Sequence, residues 1–439
     1  MKKALRIVGA LLIAAIIGGC IYLNSLMPII TGYAAKNLAS AVFVSGRDAK
    51  TVGDLDLNFS FIRFNKNTVD YDNKTVTSRF LWGKSTAVYR EGYGVTLLRG
   101  ANADDLKQQV YPLPVENLTS TPLPMGDSAT CVRLLPIAKA FVDERSYNGH
   151  PFAFVVLHKG GVVAERYDEG ITPETKLLSW SMAKSFTNAL VGVMVKDGLV
   201  DIYAPTDIPE WQNDERKNIT LNDLMQMQSG LKWNEDYGSR SDVNLMLFRE
   251  QDMGLYALNK PLEQEPGTYW YYSSGSTNII MRYLRGKFPS DQDFLVYIRT
   301  KLFAPLGIRD VVFEPDMSGT PIGSSYLYTT AMDFARFGQL YLDDGCVDSL
   351  RILPEGWAEY TATPASNSEN GYGAYFWLNK GKELPDVPED MFYCKGHDGQ
   401  RIFIIPSKDL VVAFLSYSPK PDRAVDCNAL LKDIIDKLE

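Results

Sequence analysis

Histidine is nearly missing from this chain: His150, His158 and His397 are the three present among 439 residues. There is no H-E-x-x-H pair and no Cys/His group at metal-ligand spacing, so a hydrolytic metal centre is not expected. A P-loop and a G-x-G-x-x-G stretch are also lacking, which removes the usual phosphate-cradling and dinucleotide-binding signatures, and no cofactor is expected. Positive charge is in short supply: a formal net charge of -8 argues against nucleic acid as a partner. Cysteine is sparse. Beyond Cys20, which lies in the apolar leader, the chain has Cys131, Cys346, Cys394 and Cys427. An even number permits two disulfides, in any of three pairings, in an oxidising compartment, and four free thiols equally well. Nothing in these features sets an oligomeric state.

What is present begins at the N-terminus. Lys2, Lys3 and Arg6 precede an apolar run from Ile7 to Met27, interrupted only by Asn24 and Ser25. That is about the ~20 residues needed to cross a bilayer. Basic flanks stay in the cytoplasm, so the rest of the chain is expected outside it, in a periplasm or on a cell surface. Three readings compete: a retained anchor, a cleaved signal, and a lipoprotein attached at Cys20, since Ile17-Gly18-Gly19 before it resembles a loose lipobox. Apolarity continuing past Cys20 favours the anchor. Ile29 to Val44 reads as a short helix packed at the membrane surface. Phe59 to Leu98 alternates Thr, Val, Tyr and Phe around a turn at Asp72-Asn73, the pattern of β-hairpins. Leu113 to Met125, with its prolines and hydroxyl residues, reads as a linker. The expected organisation is therefore an anchor over residues 1–30, a β-rich region with its linker over 31–130, and a larger unit over 131–439. The middle region has no constellation that implies chemistry. A structural or substrate-gating role is expected for it.

The larger unit opens with helical periodicity from Leu134 to Arg145. Two strands follow, Phe152 to His158 and Val162 to Tyr167, around the turn Lys159-Gly160-Gly161. A long, mostly helical stretch comes next, including Leu221 to Gln228, Met281 to Gly286, Asp293 to Leu302 and Thr330 to Asp343. Strands resume at Gly373 to Trp377, Ile402 to Ile405 and Leu410 to Ser416, and Ala424 to Leu438 closes as a helix. This order describes an α/β layer with an all-helical lobe, about residues 185–365, inserted into it.

One stretch in that unit carries chemistry: LLSWSMAKSFTN, Leu177 to Asn188, containing Ser181 and Lys184. Residues three apart share a helix face, so hydroxyl and amine stand together. A serine hydroxyl needs a neighbour to take its proton. A lysine amine serves when burial and the positive end of a helix lower its pKa. The N–H of Ser181, in a first helical turn, is free to donate to a developing oxyanion. Spacing alone is weak evidence, because about two chance S-x-x-K matches are expected at average composition. A second match exists at Ser229 and Lys232, but Gly230 between them reads as a helix stop, so those two side chains are not expected on one face.

Two further stretches complete a pattern. PGTYWYYSSGSTN carries Tyr272 and Ser274, and KGHDGQ carries His397, Asp398 and Gly399. With Ser181 and Lys184 they resemble the three boxes of the serine β-lactamase and penicillin-binding-protein superfamily: S-x-x-K, Tyr-x-Asn, and K-T-G or H-x-G. ITLNDLMQMQSGL and SSYLYTTAMDFARFGQLYLDDG resemble its later landmarks. The likeness covers about Cys131 to Glu439. It implies a β-lactamase/DD-peptidase-like fold, an antiparallel sheet flanked by helices with the helical lobe inserted, and a small-molecule amide or ester as substrate. Tyr-x-Ser in place of Tyr-x-Asn, together with QMQSGLKWNEDYG, most resembles 6-aminohexanoate-dimer hydrolases. Carboxylesterase, D-alanyl peptidase and β-lactamase activities are the enzymatic alternatives, and a non-catalytic wall-peptide-binding protein is the alternative from another class.

By this resemblance Ser181 is the nucleophile, and Lys184 and Tyr272 are the proton carriers. A lysine ammonium beside Tyr272 is expected to lower the phenol's pKa, leaving open which of the two is the base. The N–H groups of Ser181 and Gln400 are the expected oxyanion donors. Ser274, His397, Gly399 and Tyr237 are the expected substrate contacts. The route to the site through Trp233, Tyr237 and Tyr269 to Tyr272 is expected to be aromatic and lightly charged. No counterpart of the class A β-lactamase glutamate is evident, and His397 stands where β-lactamases carry a carboxylate-binding lysine.

Overall fold

The computed structural model describes residues 2–113, 122–419 and 423–438. Most of the expected linker, residues 114–121, lies outside these.

The N-terminal helix runs unbroken from Lys2 to Phe43. This differs from the expectation of a membrane helix followed by a separate one at the surface. Pro28 lies inside the helix without ending it. Pro28 also marks a change of environment: the side chains from Arg6 to Asn24 are almost all exposed, whereas Ala34, Ala35, Leu38 and Ala39 are buried. The inner half is therefore packed inside the protein rather than lying on a membrane surface. Small residues make this possible. A Cβ on Gly32 would sit 3.1 Å from the Phe248 carbonyl oxygen, so the helix touches that backbone directly.

Four antiparallel strands wrap the inner half: Lys66–Asp70, Thr75–Phe80, Gly83–Arg90 and Gly94–Leu97. Asn73 and Asp70 close the first hairpin, as the Asp72-Asn73 signal implied. A buried ion pair between Lys36 and Glu314 ties helix, sheet and hydrolase unit together. The same carboxylate accepts from Ser40 Oγ at 2.9 Å and from the Val95 N–H at 2.7 Å. Buried charges persist where every lone pair finds such a donor.

The main sheet is antiparallel with six strands. In spatial order these are Trp377–Leu378, Phe392–Lys395, Arg401–Ile405, Leu410–Ser416, Pro151–His158 and Gly161–Tyr167. The hairpin at 158–161 turns through Lys159 (φ 53°) and Gly160 (φ 74°), the left-handed pair a two-residue turn requires. The strand expected at Gly373–Trp377 is confined to its end. Tyr375 has φ 61°, and the N–H groups of Ala374 and Tyr375 go to Thr361 and Met225 rather than to a neighbouring strand. One face of the sheet is covered by the helices Ser128–Val142 and Cys427–Leu438. There Phe141 packs edge-on against Phe154 and Phe414, with ring centroids 5.2 and 5.1 Å apart. The other face packs against the inserted lobe and the inner half of the N-terminal helix in one continuous core. The lobe is mostly helical and also holds a small sheet of Leu177–Leu178, Leu327–Thr329 and Val312–Phe313. All five cysteines are free thiols.

Candidate active site

The small sheet sets the position of the serine. Leu177 and Leu178 pair with Thr329 and Tyr328, and the Ser179 N–H donates to the Leu327 carbonyl. The chain then turns through Trp180, a non-glycine residue at φ 46°, a conformation normally avoided by bulky residues. Tertiary packing imposes it. The Trp180 ring is enclosed by Tyr33 from the N-terminal helix (6.2 Å between centroids), Tyr326 (5.8 Å) and His397 (5.4 Å). Ser181 follows in a single tight turn that leads into the helix Ala183–Lys196, which ends at Gly198 (φ 72°).

Lys184 is 1% exposed. Its Nζ donates to Ser181 Oγ at 3.0 Å, to Ser274 Oγ at 2.9 Å and to the Ser324 carbonyl at 3.0 Å, and it lies 4.8 Å from the centroid of the Tyr272 ring. Burial pulls its pKa down to about 8, with Glu235 opposing the shift. Tyr272 departs from expectation. Burial first, then the charge of Glu235, push its phenol well above the usual value, while contact with Ser181 pulls the other way. At neutral pH the phenol keeps its proton, and Lys184 is the group placed to lose one.

Ser274, the first residue of the helix Ser274–Arg285, is fully buried. It connects Lys184 to a residue the sequence reading did not single out. Ser274 Oγ donates to Glu235 Oε1 at 2.5 Å, and its N–H donates to Glu235 Oε2 at 2.9 Å. The Trp233 indole donates to the same carboxylate at 2.5 Å. Glu235 belongs to KWNEDYG, a stretch that signalled the family. What marks it out is that it is an acid set between aromatic residues, two positions before Tyr237.

The third box forms the opposite wall. Asp398 is left-handed (φ 55°), and Gly399 at φ 97° leaves no room for a side chain, since a Cβ would lie 2.4 Å from Ser416 Oγ. The His397 ring stacks on Tyr237 at 5.1 Å and lies edge-on to Trp180. Gln400 is buried, and its side chain is tied to Ser416 by two bonds, Nε2 to O at 2.6 Å and N–H to Oε1 at 3.0 Å. It lines a neighbouring depression with Trp180 and Ser416 rather than the cavity that Ser181 lines.

Ser181, Tyr237, Tyr272, His397 and Gly399 line one cavity of about 460 Å³. Its walls differ from the expected aromatic, lightly charged approach. Trp233, Tyr269 and Tyr271 line a separate depression. Trp377, Tyr393, Glu383, Lys395 and Arg401 line the cavity with Ser181 instead, so its walls carry both signs of charge, Lys395 pairing with Glu383 at 3.4 Å. Lys395 lies over the Trp377 ring at 4.5 Å. Lys395 and Arg401 flank the third box in sequence and pair with each other across its hairpin, but the motif pattern singles out only His397 and Gly399 there. Among the described residues, no group of three or more His, Cys, Asp or Glu is placed to hold a metal ion.

The fold and this constellation are those of a serine hydrolase acting on amides or esters. Residues 138–435 match the Beta-lactamase family model, and the chain belongs to that family. Among its relatives is the 6-aminohexanoate-dimer hydrolase of Paenarthrobacter ureafaciens, 26% identical over 294 residues that cover 62% of this chain and 73% of the relative. A candidate 6-aminohexanoate-dimer hydrolase from Bacillus anthracis superposes with a TM-score of 0.56 at 23% identity, covering 67% of this chain and 80% of the other. A family VIII carboxylesterase does so with a TM-score of 0.53 at 16% identity, covering 72% and 99%.

Proposed function

We propose that Ser181 is the acylated nucleophile of an amidase or esterase for linear substrates, with Lys184 as its base. The observation that carries this reading is the Lys184 amine, buried, drawn down to about 8 and 3.0 Å from Ser181 Oγ. In the proposed reaction the neutral amine takes the Ser181 proton as Oγ bonds to the substrate carbonyl carbon. The N–H groups of Ser181 and Gln400 hold the resulting oxyanion. On collapse the carbon–nitrogen or carbon–oxygen bond breaks. The Lys184 proton, passed directly or through the Tyr272 hydroxyl, goes to the leaving group. Water, deprotonated by the same amine, then adds to the acyl carbon, the carbon–Oγ bond breaks, and the amine returns that proton to Ser181 Oγ as the acid leaves. Ser274 holds the lysine in line, and Tyr237, His397 and Gly399 bound the acyl site.

The substrate class follows from the cavity and the relatives. An ω-amino-acid amide has an amine at one end and a carboxylate at the other, which suits a wall bearing Glu383, Lys395 and Arg401. The compact anion of a penicillin lacks its usual lysine partner here, since His397 occupies that place. We place the catalytic unit outside the cytoplasm, held by the N-terminal helix. That helix is apolar enough to cross a bilayer and is fully exposed over its most apolar window.

The test is turnover by the purified full-length enzyme of p-nitrophenyl short-acyl esters, 6-aminohexanoate dimer, nitrocefin and D-Ala-D-Ala peptides. Ester hydrolysis that disappears in Ser181→Ala, with negligible nitrocefin hydrolysis, is expected. Efficient nitrocefin hydrolysis would contradict the substrate argument, and ester hydrolysis surviving in Ser181→Ala would contradict the catalytic one.

A further inference from the structure

The N-terminal sheet presents an apolar tip that its own fold does not explain. Its second and third strands are joined by a two-residue turn, Leu81-Trp82, with Leu81 at φ 50°. Such a turn favours Asn-Gly or another glycine pair, because a left-handed φ penalises a side chain. Here it carries two large apolar residues, 65% and 56% exposed. Phe61 and Phe64, from the adjoining loop, are exposed as well and pack against Phe80 at 6.2 and 6.4 Å.

The location of this tip is fixed by its contacts. The Trp82 indole donates to Asn24 Oδ1 at 3.0 Å, and Gly83 packs directly on Met27. Asn65 donates to the Ile30 carbonyl at 3.3 Å. The bare part of the helix, Arg6 to Asn24, spans about 28 Å at 1.5 Å per residue, close to the ~30 Å hydrocarbon thickness of a bilayer. The tip therefore lies beside the helix at the level where the bare apolar segment ends.

A row of cations stands one residue back from the tip. Lys66 pairs with Arg79, and Arg79 with Lys84, so the three lie abreast across three strands. All are exposed, Arg63 beside them is exposed too, and none is in an ion pair among the described residues. Asp70 and Asp72 lie at the opposite end of the sheet. Aromatic and aliphatic side chains at the depth of the interface, with basic groups just above them, form the arrangement that binds an anionic lipid surface.

We propose that Phe61, Phe64, Leu81 and Trp82 form a one-sided collar that enters the outer interface of the bilayer beside the anchor helix, with Lys66, Arg79 and Lys84 on anionic headgroups. The proposal rests on the reading of the helix as membrane-inserted. A single helix leaves the catalytic unit free to tilt, and a second contact restricts that motion.

The test uses the full chain in bilayers of phosphatidylcholine, with and without phosphatidylglycerol, carrying a benzoylphenylalanine photo-crosslinker at one of four positions: 13, 64, 71 or 81. Retained hydrolysis of a p-nitrophenyl ester shows that each variant is folded. Lipid adducts at positions 13, 64 and 81, with at least ~5-fold less at Tyr71 on the far end of the sheet, are expected. In the phosphatidylglycerol bilayer, the triple variant Lys66→Glu, Arg79→Glu, Lys84→Glu should lower adducts at 64 and 81 by ~3-fold or more and leave position 13 unchanged. Labelling at 13 with positions 64 and 81 no higher than 71 would overturn the collar and leave the anchor standing. No lipid label at 13 would overturn the anchor and the collar together. Crosslinks at 64 and 81 to protein rather than lipid would overturn the collar in favour of a protein interface.

Discussion

The chain contains two S-x-x-K stretches with opposite properties. Ser181 and Lys184 begin a buried helix, and burial lowers the lysine to about 8. Ser229 and Lys232 are separated by Gly230 at φ 72°, and Lys232 reaches solvent, where a bond to Glu263 raises it. Spacing is identical in the two. The difference is desolvation: in the first pair an amine is held among Ser274, the Ser324 carbonyl and the Tyr272 ring, with no carboxylate in direct contact. A lysine becomes a base when its charged form is made expensive, and the fold does this at one of the two sites only.

The comparison is broken most directly by removing each pair. Ser181→Ala or Lys184→Ala should lower kcat/KM for a p-nitrophenyl ester by about 10³-fold or more, whereas Ser229→Ala and Lys232→Ala should leave it within about twofold. Steady-state kinetics on the four variants decide the matter. Next in size, Tyr272→Phe should lower turnover by about 10²-fold, because the phenol keeps its proton and serves as donor. Its residual pH profile should keep the wild-type acidic limb. Loss of that limb would make Tyr272, rather than Lys184, the titrating base.

Glu235→Gln should have a smaller effect on rate, about 10-fold, through a loosened Ser274. Its second signature is pH. The carboxylate raises the Lys184 pKa against burial, so removing it should move the acidic limb of the rate below its wild-type position near pH 8. A residue of purely structural importance would lower the rate without moving the limb. The smallest effect is on stability. Folded Lys184 titrates at about 8 against 10.5 when unfolded, so the unfolded chain binds the extra proton between those values. Stability therefore rises with pH across that window, and the strain of burying the charge is full below pH 8. Relative to wild type, Lys184→Met should be more stable at pH 7 by about 1–3 kcal/mol, and this advantage should shrink from pH 8 to pH 10.5. Denaturant melts at three pH values would show it.

Much of this was legible from the sequence. The order of strands and helices gave an α/β layer with an inserted lobe, because alternation and glycine turns are local signals, and the family resemblance implied that the sheet is antiparallel. The three boxes marked Ser181, Lys184, Tyr272 and Gly399 by their family resemblance, and the fold brings these four positions together. What stayed hidden depended on contacts between distant residues. Glu235 acquires its place only when Ser274 arrives from another helix 39 positions on. The direction of the Tyr272 shift was misjudged because burial, which raises the phenol most, and Glu235, which adds to it, are not visible in the sequence. Lys395 and Arg401 flank the third box, and what the sequence did not show is that their strand pairing turns them to the cavity beside Glu383. The inner half of the N-terminal helix looked like a membrane-surface element because an apolar face carries no label for what covers it. Here the cover is the four-stranded sheet and, through Tyr33 on Trp180, the nucleophile turn itself.

On the proposed mechanism one serine of the two, made reactive by a desolvated lysine, carries the acyl group. Treating the full-length enzyme with a fluorophosphonate at pH 8.5 (about half a unit above the Lys184 value) and mapping the adduct by peptide mass spectrometry tests it directly. Stoichiometric label on Ser181, absent in Ser181→Ala and strongly slowed in Lys184→Ala, is the predicted result. Label on Ser229 or another residue, or labelling unchanged by Lys184→Ala, would contradict it.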